Sequence, residues 1–386
     1  MKQNVVLVVL AWLATGCQSP ARKPTAVPAD TATSRDDESS RRARLLAELQ
    51  DDILTSYERD EPPELDTSMI DARIGTARIG AGPGDVYIAG DLVRAPSRWP
   101  LDVDHSTRTE PRSKRLAIQI AADQSAAWMT DELSWRIEMC GRTAVIPLRI
   151  TALYAHDGDR WVPVFEHLSY GAPIAAMVTP PKAISTEVAS SGLEAALAGV
   201  VERGLLRSPR DATAIAQDEG ALVLGPDIGD EWHGEQVLAA RLPPGKLEDR
   251  RVGTVGRGPR EPTVAYWVGN YLADVSAATG TVATQRMRVT FVFEKRPSTG
   301  DAKPDAKPDA NTCARGRDAA ECRWMLVQAH MSQPVSDDDL TRDVFGTALL
   351  SPKPLELDCT DGTRRGFTSP AAAARPGQSP AEAQAR

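Results

Sequence analysis

Apolar and polar residues alternate along this chain with two different periods, and the period shows where helices and strands are expected. Residues 42–58, RARLLAELQDDILTSYE, place Leu45, Leu46, Leu49, Ile53 and Leu54 on one stripe, which predicts a helix. A second helical stretch is GLEAALAGVVERGLL, residues 192–206. After each comes a short apolar run, DVYIAG (85–90) or ALVLG (221–225), and then a Trp-bearing segment. From there the first part of the chain changes to segments rich in β-branched and aromatic residues: LAIQIAA (116–122), SAAWMTDELSWRI (125–137), AVIPLRITALYA (144–155) and RWVPVFEHLS (160–169). These predict long strands, with HDGD (156–159) as a hairpin turn between the last two. Helices first and antiparallel strands afterwards make an α+β class. No βαβ alternation points to a parallel sheet, and the strands are too long and too few for a sandwich.

The pattern is written twice. RWVPVFEHLS returns as RWMLVQAHMS (323–332), with five of ten positions identical. Trp128 in AAWMTDEL aligns with Trp267 in AYWVGNYL, 139 residues later, and LRIT (148–151) aligns with MRVT (287–290) at the same spacing. Trp99 and Trp232 make a looser third pair. The last-strand phrases lie 163 residues apart, so the second copy gains 24 residues, visible as PSTGDAKPDAKPDANTCARGRDAAEC, an expected hairpin-tip insertion at about 297–322. The expected organisation is a leader at 1–17, a flexible tether at 18–40, a first domain at 41–171, a linker at 172–185, a second domain at 186–350 and a disordered tail at 351–386.

Charge and the chain ends narrow the setting. A net charge of −8 without a basic, aromatic-studded patch argues against nucleic acid as a partner. Met1-Lys2 followed by VVLVVLAWLA (5–14) is a positive start and an apolar run too short to span a membrane. It ends in Leu13-Ala14-Thr15-Gly16-Cys17, which resembles a bacterial lipobox, with Cys17 as the lipidated residue. An ordinary secretory signal cleaved nearby is the other reading. Gln18 after the cysteine resembles outer-membrane sorting, so the expected place is the cell envelope, lipid-anchored and facing the periplasm. The following tether, if flexible, spans about 25–30 Å. Export permits disulfides. Cys140, Cys313, Cys322 and Cys359 remain after Cys17; they allow three pairings, and Cys313 and Cys322 are close enough to staple a loop. No zinc spacing, phosphate loop or nucleophile elbow occurs, so neither metal nor cofactor is expected.

Each copy resembles the SnoaL-like branch of the nuclear transport factor 2-like (NTF2-like) superfamily. The resembling residues are the AW strand, the R-φ-T strand, the D-G turn and W-x5-H-x-S on the last strand. GPDIGDEWHG (225–234) and SQPVSDDDLTRDVFG (332–346) add to this in the second copy, and the last-strand spacing is similar to that of the calmodulin-dependent kinase II association domain. The resemblance implies two tandem cone-shaped domains, each with helices on a strongly curved antiparallel sheet around a cavity, paired as an intrachain pseudo-dimer.

Candidate chemistry lies on the last strands. Strand alternation puts Trp161, Pro163, Phe165, His167 and Ser169 on one side, and Trp324, Leu326, Gln328, His330 and Ser332 likewise. His167, Ser169, His330 and Ser332 either contact a ligand in the cavity or satisfy buried backbone groups. Arg149 and Arg288, mid-strand among apolar neighbours, either anchor a ligand carboxylate, pair with an acid such as Glu138 or Asp274, or face solvent. Trp128 and Trp267 are pocket candidates that serve equally as core anchors. The expected function is a non-catalytic module that binds a small amphipathic ligand or a periplasmic protein. The alternative is an isomerase- or cyclase-like enzyme using the second cavity, for which Glu138, Glu166 and Glu294 are the available carboxylates.

Overall fold

The computed structural model describes residues 30–59, 76–88, 108–139, 142–170, 181–207, 210–227, 229–240, 242–255, 261–276, 282–297, 313 and 322–336. Among the described residues, 30–43 and those from 44 on form two separate units. The first unit contributes the opening turns of helix α1 (Asp30–Arg59), and the fold below belongs to the second. The helix starts at Asp30, so the stretch 30–40 expected as tether is helical. That stretch and the residues after it lack Gly and Pro, and they set Asp37 and Glu38 four residues before Arg41 and Arg42, a helix-favouring order.

Two seven-stranded sheets follow, with the same strand order. The first half of the chain supplies β1 (Ala77–Ile79), β2 (Val86–Ile88), β3 (Arg108–Ser113), β4 (Ala117–Ile120), β5 (Ala126–Met139), β6 (Arg142–His156) and β7 (Trp161–Tyr170). They line up as β2-β1-β7-β6-β5-β3, with β4 also on β5. The second half supplies β8 (Glu187–Val188), helix α2 (Ser191–Val201), β9 (Leu222–Leu224), β10 (Glu231–His233), β11 (Gly245–Val255), β12 (Val264–Ser276), β13 (Val282–Pro297) and β14 (Cys322–Ser332). Their order is β10-β9-β14-β13-β12-β11-β8. Strand for strand the two sheets match, with β11 standing where β3 and β4 stand in the first and β8 added beyond it. The α+β class holds, mostly sheet with few helices. The sheets are mixed rather than antiparallel: β1 runs parallel to β7, β9 to β14, and β8 to β11.

The match corrects two sequence pairings. ALVLG holds β9, whose place in the first sheet is taken by Ala77–Ile79, whereas DVYIAG holds β2, which stands in the first sheet where β10 stands in the second. Trp232 on β10 therefore corresponds to Tyr87, and Trp99 lies outside the described residues. On the central strands, Thr151 pairs with Thr130 and Thr290 with Val268, a spacing of 138 rather than 139 on β5 and β12. Trp128 thus corresponds to Tyr266 and Trp267 to Met129. A one-residue slip moves a side chain to the other face of its sheet, so the two tryptophans look opposite ways.

Each sheet has a helix on one face. Leu45, Leu49, Ile53 and Tyr57 of α1 are buried against Met129, Leu133, Trp135, Ile150 and Leu168, while Leu46 sits at the stripe's edge, 37% exposed. In the second half, Ser190 caps α2 by accepting from the Leu193 N–H at 3.1 Å, and the helix ends in a π-turn, Glu202–Leu206, instead of running on as α-helix. The other faces meet each other. Phe165, Val164 and Leu153 of the first sheet share one continuous apolar core with Tyr266, Val292 and Val327 of the second. Beside that core runs a polar seam.

A disulfide joins Cys313 to Cys322, with the Cα atoms 5.9 Å apart. Cys17, Cys140 and Cys359 lie outside the described residues.

Candidate functional site

The last strands and their neighbours bring the predicted polar residues to one place. β7 and β14 are each flanked by the R-φ-T strand, and both carry a bulge, between Leu153 and Tyr154 against β7 and between Val292 and Phe293 against β14. A bulge shifts the side-chain alternation by one residue. Trp161 consequently packs in the core under α1, while Phe165 is in the core shared by the sheets, against the expectation of one common face. Beyond the bulge, His167 and Ser169 point across to the second sheet, and His330 and Ser332 point back.

There the four residues cross-bond. The imidazoles of His167 and His330 stack, with ring centres 3.9 Å apart and planes 22° from parallel. His167 Nε2 lies 2.7 Å from Ser332 Oγ, and its Nδ1 lies 3.2 Å from Thr290 Oγ1. His330 mirrors this, with Nε2 at 2.8 Å from Ser169 Oγ and Nδ1 at 3.0 Å from Thr151 Oγ1. Every bond runs from one sheet to the other. A neutral imidazole has one donor and one acceptor nitrogen, and a hydroxyl can meet either, so both rings are satisfied. Burial holds both in the neutral form. It drives His167 well below the ordinary histidine range, helped by His330 and Arg288, and drives His330 down to about 3, helped by Arg149.

The arginines complete the seam. Arg288, with no exposed surface, donates across to the carbonyls of Gly80 and of Pro83, the latter at 2.9 Å. Arg149 donates to the carbonyls of Asp227 at 2.8 Å and Gly225 at 3.3 Å. Burial lowers Arg288 to about 10, with Asp85 and Tyr87 opposing, so it stays charged at neutral pH. The acceptors sit on matched turns that the sequence reading paired on neither side: Gly80-Ala-Gly-Pro-Gly-Asp85 and Gly225-Pro-Asp-Ile-Gly-Asp230. In each, the first glycine's N–H donates to the aspartate's carbonyl, at 2.9 and 2.8 Å. A Cβ on Gly80 or Gly225 would meet that aspartate side chain at 2.7 or 2.6 Å, so only glycine fits. The repeated G-x3-G-D was the signal available for these turns.

Other candidates fall elsewhere. Glu166 pairs with Arg78 at 3.6 Å, and Glu294 accepts from the Ala122 N–H at 2.9 Å and from Arg296 at 2.7 Å. The Glu138 side chain lies outside the described residues. Asp274 accepts from Thr284, not from an arginine of the seam. Gln328 reaches from β14 to Met129 O and Thr130 Oγ1, at 2.9 and 2.8 Å. Trp267 is 1% exposed in the core, whereas Trp128 lines a cleft of about 150 Å³ with Arg115, Gln119, Arg149, Glu231 and His233. The seam therefore gathers Arg149, His167, Ser169, Arg288, His330 and Ser332, and only Arg149 among these six borders the cleft.

The cross-bonding makes a symmetric expectation. Ser169→Ala and Ser332→Ala should each cost about 1–3 kcal/mol, because each strands a buried ring nitrogen. Urea unfolding of both variants should show losses of similar size; one serine indifferent and the other costly would mean that the paired geometry is not what holds the rings.

No protein-family model and no curated protein matches the chain. Among the solved structures similar to parts of it are the following two. One is the CamKII hub homology domain of Chlamydamonas reinhardtii, at 15% identity and a TM-score of 0.21, covering 35% of this chain and 96% of that one. The other is an Ntf2-like protein involved in plasmid conjugation, at 8% identity and a TM-score of 0.16, covering 57% and 78%.

Proposed function

We propose that this chain is an exported, lipid-anchored binding module that works without catalysis, built from two tandem SnoaL-like domains of the NTF2-like superfamily joined as an intrachain pseudo-dimer. One observation carries the reading: the His-x-Ser pairs, the most reactive-looking residues in the sequence, have both ring nitrogens bonded to hydroxyls of the opposite sheet. A general acid or base must reach its substrate's proton. An isomerase- or cyclase-like role would need an imidazole open to a cavity with an acid beside it, and each imidazole here is 1% exposed or less. The matched strand orders and reciprocal arginine-to-turn bonds support pairing of two like domains. Lipidation at Cys17 and a periplasm-facing place in the envelope complete the proposal, with a small amphipathic ligand or an envelope protein as what is bound.

The test is crosslinking and native mass spectrometry of the full chain expressed in a bacterium with an outer membrane, alongside His330→Gln. The reading expects whatever associates with the wild type to remain at the same stoichiometry in His330→Gln, provided that its near-ultraviolet circular dichroism shows it folded. Loss of the associated species from a folded His330→Gln would return the histidine to a ligand site and sink the non-catalytic seam. Fractionation of Cys17→Ala supplies the second arm: it should leave the membrane fraction for the soluble periplasmic extract.

A further inference from the structure

The two flanks of the seam fill matching places with different chemistry. On the Arg288 flank the core is apolar: Phe165 and Tyr266 pack ring to ring with centres 6.3 Å apart, and Gly253 and Val268 stand beside Tyr266. The chain's own connecting segment adds to this flank. The Lys182 N–H donates to Pro83 O at 2.8 Å, Ile184 is buried in the shared core, and Glu187 and Val188 pair with Arg251 and Val252 on β11.

Strand partners identify the matching positions on the Arg149 flank. Trp128 stands for Tyr266 and Thr130 for Val268. Gln119 and Ala117 on β4 stand for Gly253 and Arg251 on β11, and Gln328 on β14 stands for Phe165 on β7. Polar groups thus replace an apolar cluster. Gln119, Trp128, Thr130 and Gln328, with Leu222 and Leu224, line the cleft of about 150 Å³.

Two of these polar groups are unmet. Trp128 and Gln328 are each 3% exposed. The Gln328 amide nitrogen donates to Met129 O and Thr130 Oγ1, and a carbonyl only accepts, so this orientation is fixed and the amide oxygen is left over. Gln328 Oε1 and Trp128 Nε1 have no hydrogen-bond partner among the described residues. A buried donor and a buried acceptor left unmade cost stability, and the Phe165–Tyr266 pair shows that apolar packing serves at both places. The charged groups of the cleft, by contrast, are already served. Arg115 bonds to Glu132 and Glu231, Glu231 also to His233, and Arg149 to the carbonyls of Gly225 and Asp227. Glu219 is exposed, and a carboxylate in water selects weakly.

We propose that this cleft binds a small uncharged molecule of about one ring that carries both an acceptor and a donor, of the carboxamide or lactam kind. Its carbonyl accepts from Trp128 Nε1 and its N–H donates to Gln328 Oε1. A cavity of about 150 Å³ holds a molecule of benzene's size, which sets the limit of one ring. Neither atom is open to solvent, so the guest reaches them by turning side chains of the cleft wall. The proposal rests on the non-catalytic binding reading and names its ligand class.

The probes are benzamide and δ-valerolactam, titrated into the full chain by saturation-transfer NMR, with benzoate and benzamidinium as shape-matched anion and cation. At least one amide should bind with a dissociation constant on the order of 1 mM, and the two ions about tenfold more weakly or less. With isotope-labelled indoles, the N–H resonance that Trp128→Phe removes should move when the amide is added. Gln328→Met and Trp128→Phe should each weaken binding about tenfold while the protein still melts cooperatively. If Gln328→Met does not fold, Trp128→Phe, which deletes the donor and keeps an aromatic ring, decides alone. The site is overturned if neither amide binds at about 10 mM, in which case water serves the two groups, if an ion binds as well as benzamide, or if binding is unchanged in the folded variants. None of these outcomes bears on His330→Gln, so failure here is separable from failure of the non-catalytic reading.

Discussion

Taking the protein from pH 7 to pH 5 should remove about 2 kcal/mol of folding stability through His330 alone, with His167 adding to the loss. His167 and His330 are neutral in the folded state because they are buried, and His330 is held at about 3. Unfolded, each returns to the ordinary value near 6.5 and takes up a proton as the pH falls. A folded pKa below the unfolded one gives stability that is fully present above about 6.5 and is lost progressively as the pH drops toward the folded value. His330, held at about 3, contributes about 2 kcal/mol of loss by pH 5, and His167 adds loss of the same sign. The carboxylates of Asp131 and Asp230 are raised by burial and work with the opposite sign, adding stability on acidification, but from an ordinary value near 3.8. The histidines therefore dominate between pH 7 and 5. Urea midpoints at half-unit pH steps should fall steeply over this range in the wild type and much less steeply in His167→Gln/His330→Gln. A double variant as acid-sensitive as the wild type would remove the histidines as the cause.

Arg288→Ala should cost about 2–5 kcal/mol, the largest single-residue effect at the seam. Its guanidinium has no exposed surface and donates to the Gly80 and Pro83 carbonyls; truncation leaves a cavity and removes the side-chain donor to Gly80 O, while Pro83 O keeps the Lys182 N–H. Arg149→Ala should cost less, about 1–2 kcal/mol, because water entering the adjoining cleft can replace some of its bonds. Arg288→Lys should recover little: an ammonium on a flexible stem does not reproduce a planar fork spanning two carbonyls. Equilibrium unfolding of the three variants decides it. If Arg288→Ala stays within about 1 kcal/mol of the wild type, the seam is not held by this bond.

Much of this was legible from residue pattern. Long β-branched segments became β5, β6 and β7, the α1 stripe became the packed face, and the R-φ-T and His-x-Ser phrases marked the strands that meet. Two things hid from one-dimensional reading. The first was register. Trp128 and Trp267 align well as letters, yet the ladder offsets β12 by one residue, and only strand partners such as Val268 with Thr290 reveal it. The second was the destination of polar groups. An arginine among apolar neighbours looks the same whether its partner is a ligand or a backbone carbonyl 76 or 78 residues away, as Gly225 and Asp227 are from Arg149. The turns that accept those bonds are spelled in glycine and aspartate, which also spell ordinary loops. The bulges on β7 and β14 left no sequence mark that was used, and they decide which way Trp161 faces.

The connecting segment at Pro181–Val188 has a consequence for how this molecule could change over time. Two separate identical subunits meeting at a two-fold axis must present the same residue on both sides, so every substitution is made twice and tested against itself. Here one backbone carries both halves, and the constraint is lifted. Arg251 stands opposite Glu187 on one flank while Ala117 stands in the corresponding spot on the other; Val86 and Glu231 hold matching positions with unlike chemistry. Linkage also makes association of the halves independent of protein concentration. With assembly guaranteed by the covalent chain, one flank is free to be sealed and the other to specialise, and a single gene can explore heterodimer chemistry without the risk of mispairing.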